Sequence, residues 1–88
     1  MSLLQVEVVY DGEWHGSIVE DNSAYQIEGF GSKTLNIMNS SKVSVAISKK
    51  NHWSGRITVK ILEDGVVKRR AVGDVRDDFV AVEYNGRD

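Results

Sequence analysis

Across residues 43–71 apolar side chains recur at every second position. Val43, Val45 and Ile47 point one way, as do Ile57, Val59 and Ile61, with polar or small residues between them. Successive side chains of a strand leave opposite faces of a sheet, so this period of two predicts half-buried strands. Asp64-Gly65 separates the second run from Val66-Val67-Lys68-Arg69-Arg70-Ala71. Glycine makes the positive φ of a tight turn cheap, so a hairpin is expected there. The stretch therefore predicts three consecutive antiparallel strands, with the polar, partly aromatic loop 49–56 at the tip between the first two.

The flanks follow the same rule. Leu4, Val6, Val8 and Tyr10 share one face, and Asp11-Gly12 predicts a first hairpin turn. Trp14, Gly16 and Ile18 then continue on the side that Tyr10 faces. Glu20-Asp21-Asn22-Ser23 is a polar turn built from residues whose side chains bond their own backbone. Tyr25 and Ile27 give a short third strand ending at Gly29-Phe30-Gly31, where two glycines predict a bulge or a change of sheet. Leu35 and Ile37 carry a fourth strand, closed by Asn39-Ser40-Ser41. After a polar loop at 73–77, Val80, Val82 and Tyr84 mark one face of a last strand.

No window carries apolar residues at helical spacing, so little or no helix is expected. Short strands separated by turn signals every 8–12 residues predict an all-β fold. The expected architecture is an immunoglobulin-like antiparallel β-sandwich of seven or eight short strands, a single domain over 1–88, with Trp14 as its central core aromatic. Proline is absent, so charge and bulges must guard the edge strands, and Lys68-Arg69-Arg70 is the expected guard.

Composition narrows the function classes. A chain of 88 residues buries roughly 60–65% of its unfolded surface, enough for one two-layer core. A formal net charge of −2 gives no global attraction to nucleic acid or anionic lipid. The absence of cysteine removes disulfides and thiolate metal sites and leaves the redox compartment unspecified. No run approaches the roughly 18 apolar residues of a membrane span, and the first residues lack the charged and apolar regions of a signal peptide.

The most suggestive chemistry is in the loop between the two central runs. Trp53 falls in a turn, with His52, Lys49, Lys50 and Arg56 around it. An indole beside cations can stack on a base or a sugar, or sit at a membrane interface. These five residues are the candidate ligand- or partner-binding set, and the bland alternative folds Trp53 back onto its own hairpin. Lys68, Arg69 and Arg70 alternate along a strand, so they cannot form one patch on a flat face. Asp74, Asp77 and Asp78 lack the Asp-x-Asp-x-Asp-Gly register of a calcium loop and read as a solvated acidic turn. His15 and His52 have no cysteine to complete a zinc site, and His15 should face solvent beside Trp14. Ser17, Ser44 and Ser48 lie on strands or strand ends without a nucleophile elbow. Neither catalysis nor a cofactor is expected.

Three stretches together carry a family resemblance. They are Tyr10-Asp11-Gly12-Glu13-Trp14-His15-Gly16-Ser17-Ile18, Gly29-Phe30-Gly31-Ser32-Lys33-Thr34 and Ile57-Thr58-Val59-Lys60-Ile61-Leu62-Glu63-Asp64-Gly65. The chain resembles small archaeal domains that often sit beyond a single membrane-spanning helix. Its second half also resembles the soluble domain of the mycobacterial small membrane proteins of the MmpS family. The resemblance implies an immunoglobulin-like sandwich and a membrane-tethered, extracytoplasmic parent, and an apolar helix upstream of Leu3 would place the domain on a membrane. It transfers no catalytic residue. At Asn51-His52-Trp53 the chain departs from the short, acidic, serine-rich pattern of the archaeal domains.

Together these readings predict a non-enzymatic β-sandwich interaction module. It would work through a protein partner, or a second copy of itself, at an edge strand or at the Trp53 loop. The alternative is a carbohydrate- or cell-envelope-binding module using the Trp53 loop.

Overall fold

A computed structural model describes residues 3–21, 23–37, 42–50, 55–74 and 77–85. Eight strands account for its regular structure: β1 Leu4–Val9, β2 Glu13–Glu20, β3 Ser23–Phe30, β4 Lys33–Ile37, β5 Lys42–Lys49, β6 Ile57–Glu63, β7 Val66–Gly73 and β8 Phe79–Asn85. They form two antiparallel four-stranded sheets, one in the order β4-β1-β6-β7 and the other β3-β2-β5-β8. We call these sheet A and sheet B. The protein is an all-β sandwich. Its thinnest dimension, 17 Å, accommodates two sheets about 10 Å apart and no third layer.

The period of two does what the sequence requires of it. Val6, Val8, Val59 and Ile61 of sheet A are fully buried, as are Trp14, Ile18, Val43 and Ile47 of sheet B. Cross-strand pairs such as Val8–Val59, Val6–Ile61 and Ile18–Val45 set the register between them. A one-residue slip in any of these strands would turn its whole apolar set to water, so the register is strongly specified.

Connectivity differs from the sequence expectation at two places. Asp11-Gly12 does not close a hairpin, because β1 pairs with β4 and β6 while β2 pairs with β3 and β5. The stretch 43–71 is likewise not three consecutive antiparallel strands: β5 belongs to sheet B and β6 to sheet A. Only β2–β3 and β6–β7 are neighbours both in sequence and in a sheet. The backbone supplies the reason. Asp64 and Gly65 both take positive φ, 52° and 84°, which is the twist a two-residue hairpin needs. Gly12 does not adopt positive φ, and its turn carries the chain from one layer to the other.

Trp14 is the central aromatic, with no exposed surface. Its ring lies over Gly29 of the neighbouring strand, where an added Cβ would come within 2.6 Å of the ring. Its indole N–H donates to the Gly31 carbonyl at 2.8 Å. Gly29-Phe30-Gly31 is thus a place to seat an indole and then leave the sheet, with Gly31 at φ 76°.

Candidate interaction surface

Of the predicted set, the described members Lys49, Lys50 and Arg56 do not form one patch. Trp53 and His52 lie outside the described residues. Lys49 continues the phase of Val43, Val45 and Ile47, so it turns inward opposite Trp14. It is 7% exposed, and its ammonium donates to the Asp74 carbonyl at 2.9 Å. That ammonium also stands 5.8 Å from the centre of the Tyr10 ring. A lysine can bury its alkyl stem in this way provided its head finds an acceptor. Lys50 leaves the opposite face, 3.9 Å from both Glu13 and Glu28. Arg56 is exposed, 3.9 Å from the Asp74 carboxylate. Such exposed pairs contribute about 0–1 kcal/mol each.

Beneath that end of the sandwich, Tyr10 is buried, and its hydroxyl has no hydrogen-bond partner among the described residues. Burial, followed by the nearby Asp78 and Asp11 carboxylates, pushes its pKa above the ordinary tyrosine value. Asp74 and Asp77 close their own turn, Asp77 N–H to Asp74 C=O at 2.9 Å and Asp74 N–H to the Asp77 carboxylate at 3.0 Å. Among the described residues no group of three or more His, Cys, Asp or Glu side chains could hold a metal ion.

The outer faces of the two sheets differ. On sheet A, Gln5 donates to Asn36 at 3.0 Å and Lys60 meets Glu7 at 3.6 Å. Long side chains there partner one another across the strands. On sheet B the middle row is Gln26–Ser17–Ala46–Ala81, and its short side chains floor a shallow groove of about 660 Å³. The next row is Glu28–His15–Ser48–Phe79, with Phe79 57% exposed at one end. A smaller apolar hollow of about 270 Å³ extends the groove over Val19, Ser44 and Ala81.

Glu28, His15 and Ser48 stand in the order acid, imidazole, hydroxyl. A hydrolytic triad also needs a base bonded to its nucleophile and donors aimed at an oxyanion. Ser48 lies on a strand paired on both sides, where the ladder consumes backbone N–H groups. The row is therefore better suited to contact than to acyl transfer.

Of the four edge strands β4, β7, β3 and β8, the two longest differ as well. β7 and β3 each run eight residues along the outside of a sheet. On β7 the register skips between Ile61 and Leu62, which leaves Lys68 as the extra residue of a bulge. Arg69 pairs with Ile61 on the inward side and stacks on the Tyr84 ring at 5.2 Å, while Tyr84 donates to Glu63 at 2.8 Å. Bulge, inward charge and flanking cations are the devices that keep an edge from recruiting another strand. On β3, Ser-Ala-Tyr-Gln-Ile-Glu-Gly-Phe, the only charged residue is Glu28, and the pairing with β2 runs from end to end without a skip. The Lys68-Arg69-Arg70 guard was readable in the sequence. The bare β3 edge was not, because nothing local marks a strand as an edge.

Comparison with known proteins yields no family model, curated protein or solved structure that matches the chain. Among the described residues no helix is long and apolar enough to cross a membrane.

Proposed function

We propose that this protein is a non-enzymatic interaction module that engages its partner by strand pairing along β3. The observation that carries this reading is the contrast between a bulged, cationic β7 and a β3 with one charge in eight residues. An exposed, unguarded strand offers a ladder of backbone donors and acceptors, and added strands bind through those groups while side-chain pockets set specificity. The groove on the outer face of sheet B adjoins that edge through Gln26 and Glu28, so side chains of a paired strand have a surface to fill. A membrane-tethered parent, which the archaeal and MmpS resemblance implies, belongs to the same reading: such a module would hold its partner beside the envelope.

The test is a selection from displayed random peptides against the folded domain, followed by binding to two variants. Gln26→Pro removes one backbone donor from β3, and proline is tolerated where an edge N–H faces solvent. The reading expects selected peptides to lose binding to Gln26→Pro, at unchanged melting behaviour, and to retain it on Trp53→Ala. The second reading, a glycan- or envelope-binding module at the Trp53 loop, draws support from the polar groove that Lys50 also lines. A glycan panel whose hits vanish with Trp53→Ala and survive Gln26→Pro would establish it in place of the first.

A further inference from the structure

We propose that the strand taken up by β3 is β3 of a second copy, the two running antiparallel about a two-fold axis at Ile27. This rests on the reading of β3 as a pairing edge and names its occupant.

Backbone geometry permits the pairing. Glu20 and Ser23 form the last rung of the β2–β3 hairpin, with two residues between them. In antiparallel strands, residues alternate between exchanging hydrogen bonds with one neighbour and with the other. Starting from that rung, Tyr25, Ile27 and Gly29 spend their amides on β2. Ala24, Gln26, Glu28 and Phe30 turn theirs outward. A two-fold at Ile27 sets Gln26 against the partner copy's Glu28 position and Ala24 against its Phe30 position. Each of these rungs occurs twice by symmetry, giving about eight backbone hydrogen bonds between the copies.

Side chains select this register over its neighbours. At two of the unlike rungs a large group meets a small one: Tyr25 faces Gly29, and Phe30, 73% exposed in the single chain, faces Ala24. An aromatic laid across a glycine of the next strand is a favourable cross-strand pair. The one charge, Glu28, meets the Gln26 amide, and half-buried Ile27 packs on its own copy. Shifting the axis to Glu28 would set carboxylate against carboxylate, which is destabilising. Shifting it to Gln26 would set Glu28 against Ala24 and lose the amide–carboxylate rungs. A strand whose own sequence complements itself in size and charge about one residue fits an isologous contact. The result would be one continuous eight-stranded sheet, with the groove of each copy opening on a common face.

Sedimentation equilibrium of the whole chain, from about 10 µM to 1 mM, tests this. The expected parent mass rises with concentration towards twice 9.8 kDa. Gln26→Lys creates two Lys–Glu rungs and should tighten the dimer about threefold to tenfold, whereas Gln26→Glu should loosen it by a similar factor. Gln26→Lys with Glu28→Gln should lose the gain. Val72→Lys, which makes the same change of net charge on β7, should leave the mass curve unchanged. All three substituted positions are exposed, and thermal melting confirms that each variant folds. A parent monomeric at 1 mM overturns the proposal, as does a dimer that responds equally to Gln26→Lys and Gln26→Glu. Should the parent stay monomeric while selected peptides still depend on Gln26, the pairing edge stands and its partner is a different chain.

Discussion

β7 and β3 are strands of equal length at the edges of the two sheets, and they are built to opposite rules. β7 carries three consecutive cations, a bulge at Lys68 and an arginine turned inward onto Tyr84. β3 is an unbroken ladder with one carboxylate. If edge protection served only solubility, both would need it. On the proposed reading, the devices against strand recruitment sit where pairing is unwanted and are withheld on β3, where it is used.

The largest way to break the comparison is to unseat β3. Trp14 holds the end of that strand by ring contact with Gly29 and by its hydrogen bond to Gly31. Trp14→Ala should destabilise the domain by about 3–5 kcal/mol in chemical denaturation. A variant with the parent's midpoint would show that β3 is held by something else. Gly29→Ala attacks the same seat more gently. Its Cβ would press within 2.6 Å of a buried ring, and the expected loss is about 1–3 kcal/mol.

Replacing Lys68, Arg69 and Arg70 with threonine erases the charge difference between the edges and leaves the bulge. Stability should change by about 1 kcal/mol or less, since these side chains are exposed and the Arg69–Tyr84 stack is a modest interaction. The solubility limit should fall steeply, as β7 also becomes a template. Solubility equal to the parent's would count against the guard.

The smallest effects come from two tyrosines. Tyr10→Phe removes a buried hydroxyl that has no partner among the described residues and should be neutral or stabilise by about 1 kcal/mol. Tyr25, on β3, has its pKa raised from 10.0 to about 12 by burial and then by its hydrogen bond to Glu20. The folded state therefore holds this proton more tightly than the unfolded chain does. The contribution is complete below pH 10 and is lost as pH rises through about 12. Alkaline titration should loosen β3 before β7, and Tyr25→Phe should remove that order.

The period of two made the layers legible. Val45 and Val59 are dry, Val82 is half-buried, and His15 faces solvent beside a buried Trp14. One more step of the same period would have placed Lys49 inside, in phase with Ile47, instead of among the loop cations. Connectivity was harder to read because Asp-Gly occurs at both 11–12 and 64–65. The dipeptide allows a hairpin, and the layer that receives the next apolar strand decides whether one forms. The character of β3 needed the topology, since Ser-Ala-Tyr-Gln-Ile-Glu-Gly-Phe would be unremarkable in the middle of a sheet.

The most direct measurement of the central claim is residue-resolved amide hydrogen exchange at low and high protein concentration. The account predicts that Ala24, Gln26, Glu28 and Phe30 gain protection as concentration rises, while the β7 amides exchange at an unchanged rate. Protection of those four that is independent of concentration, or a gain that appears on β7 instead, would contradict it.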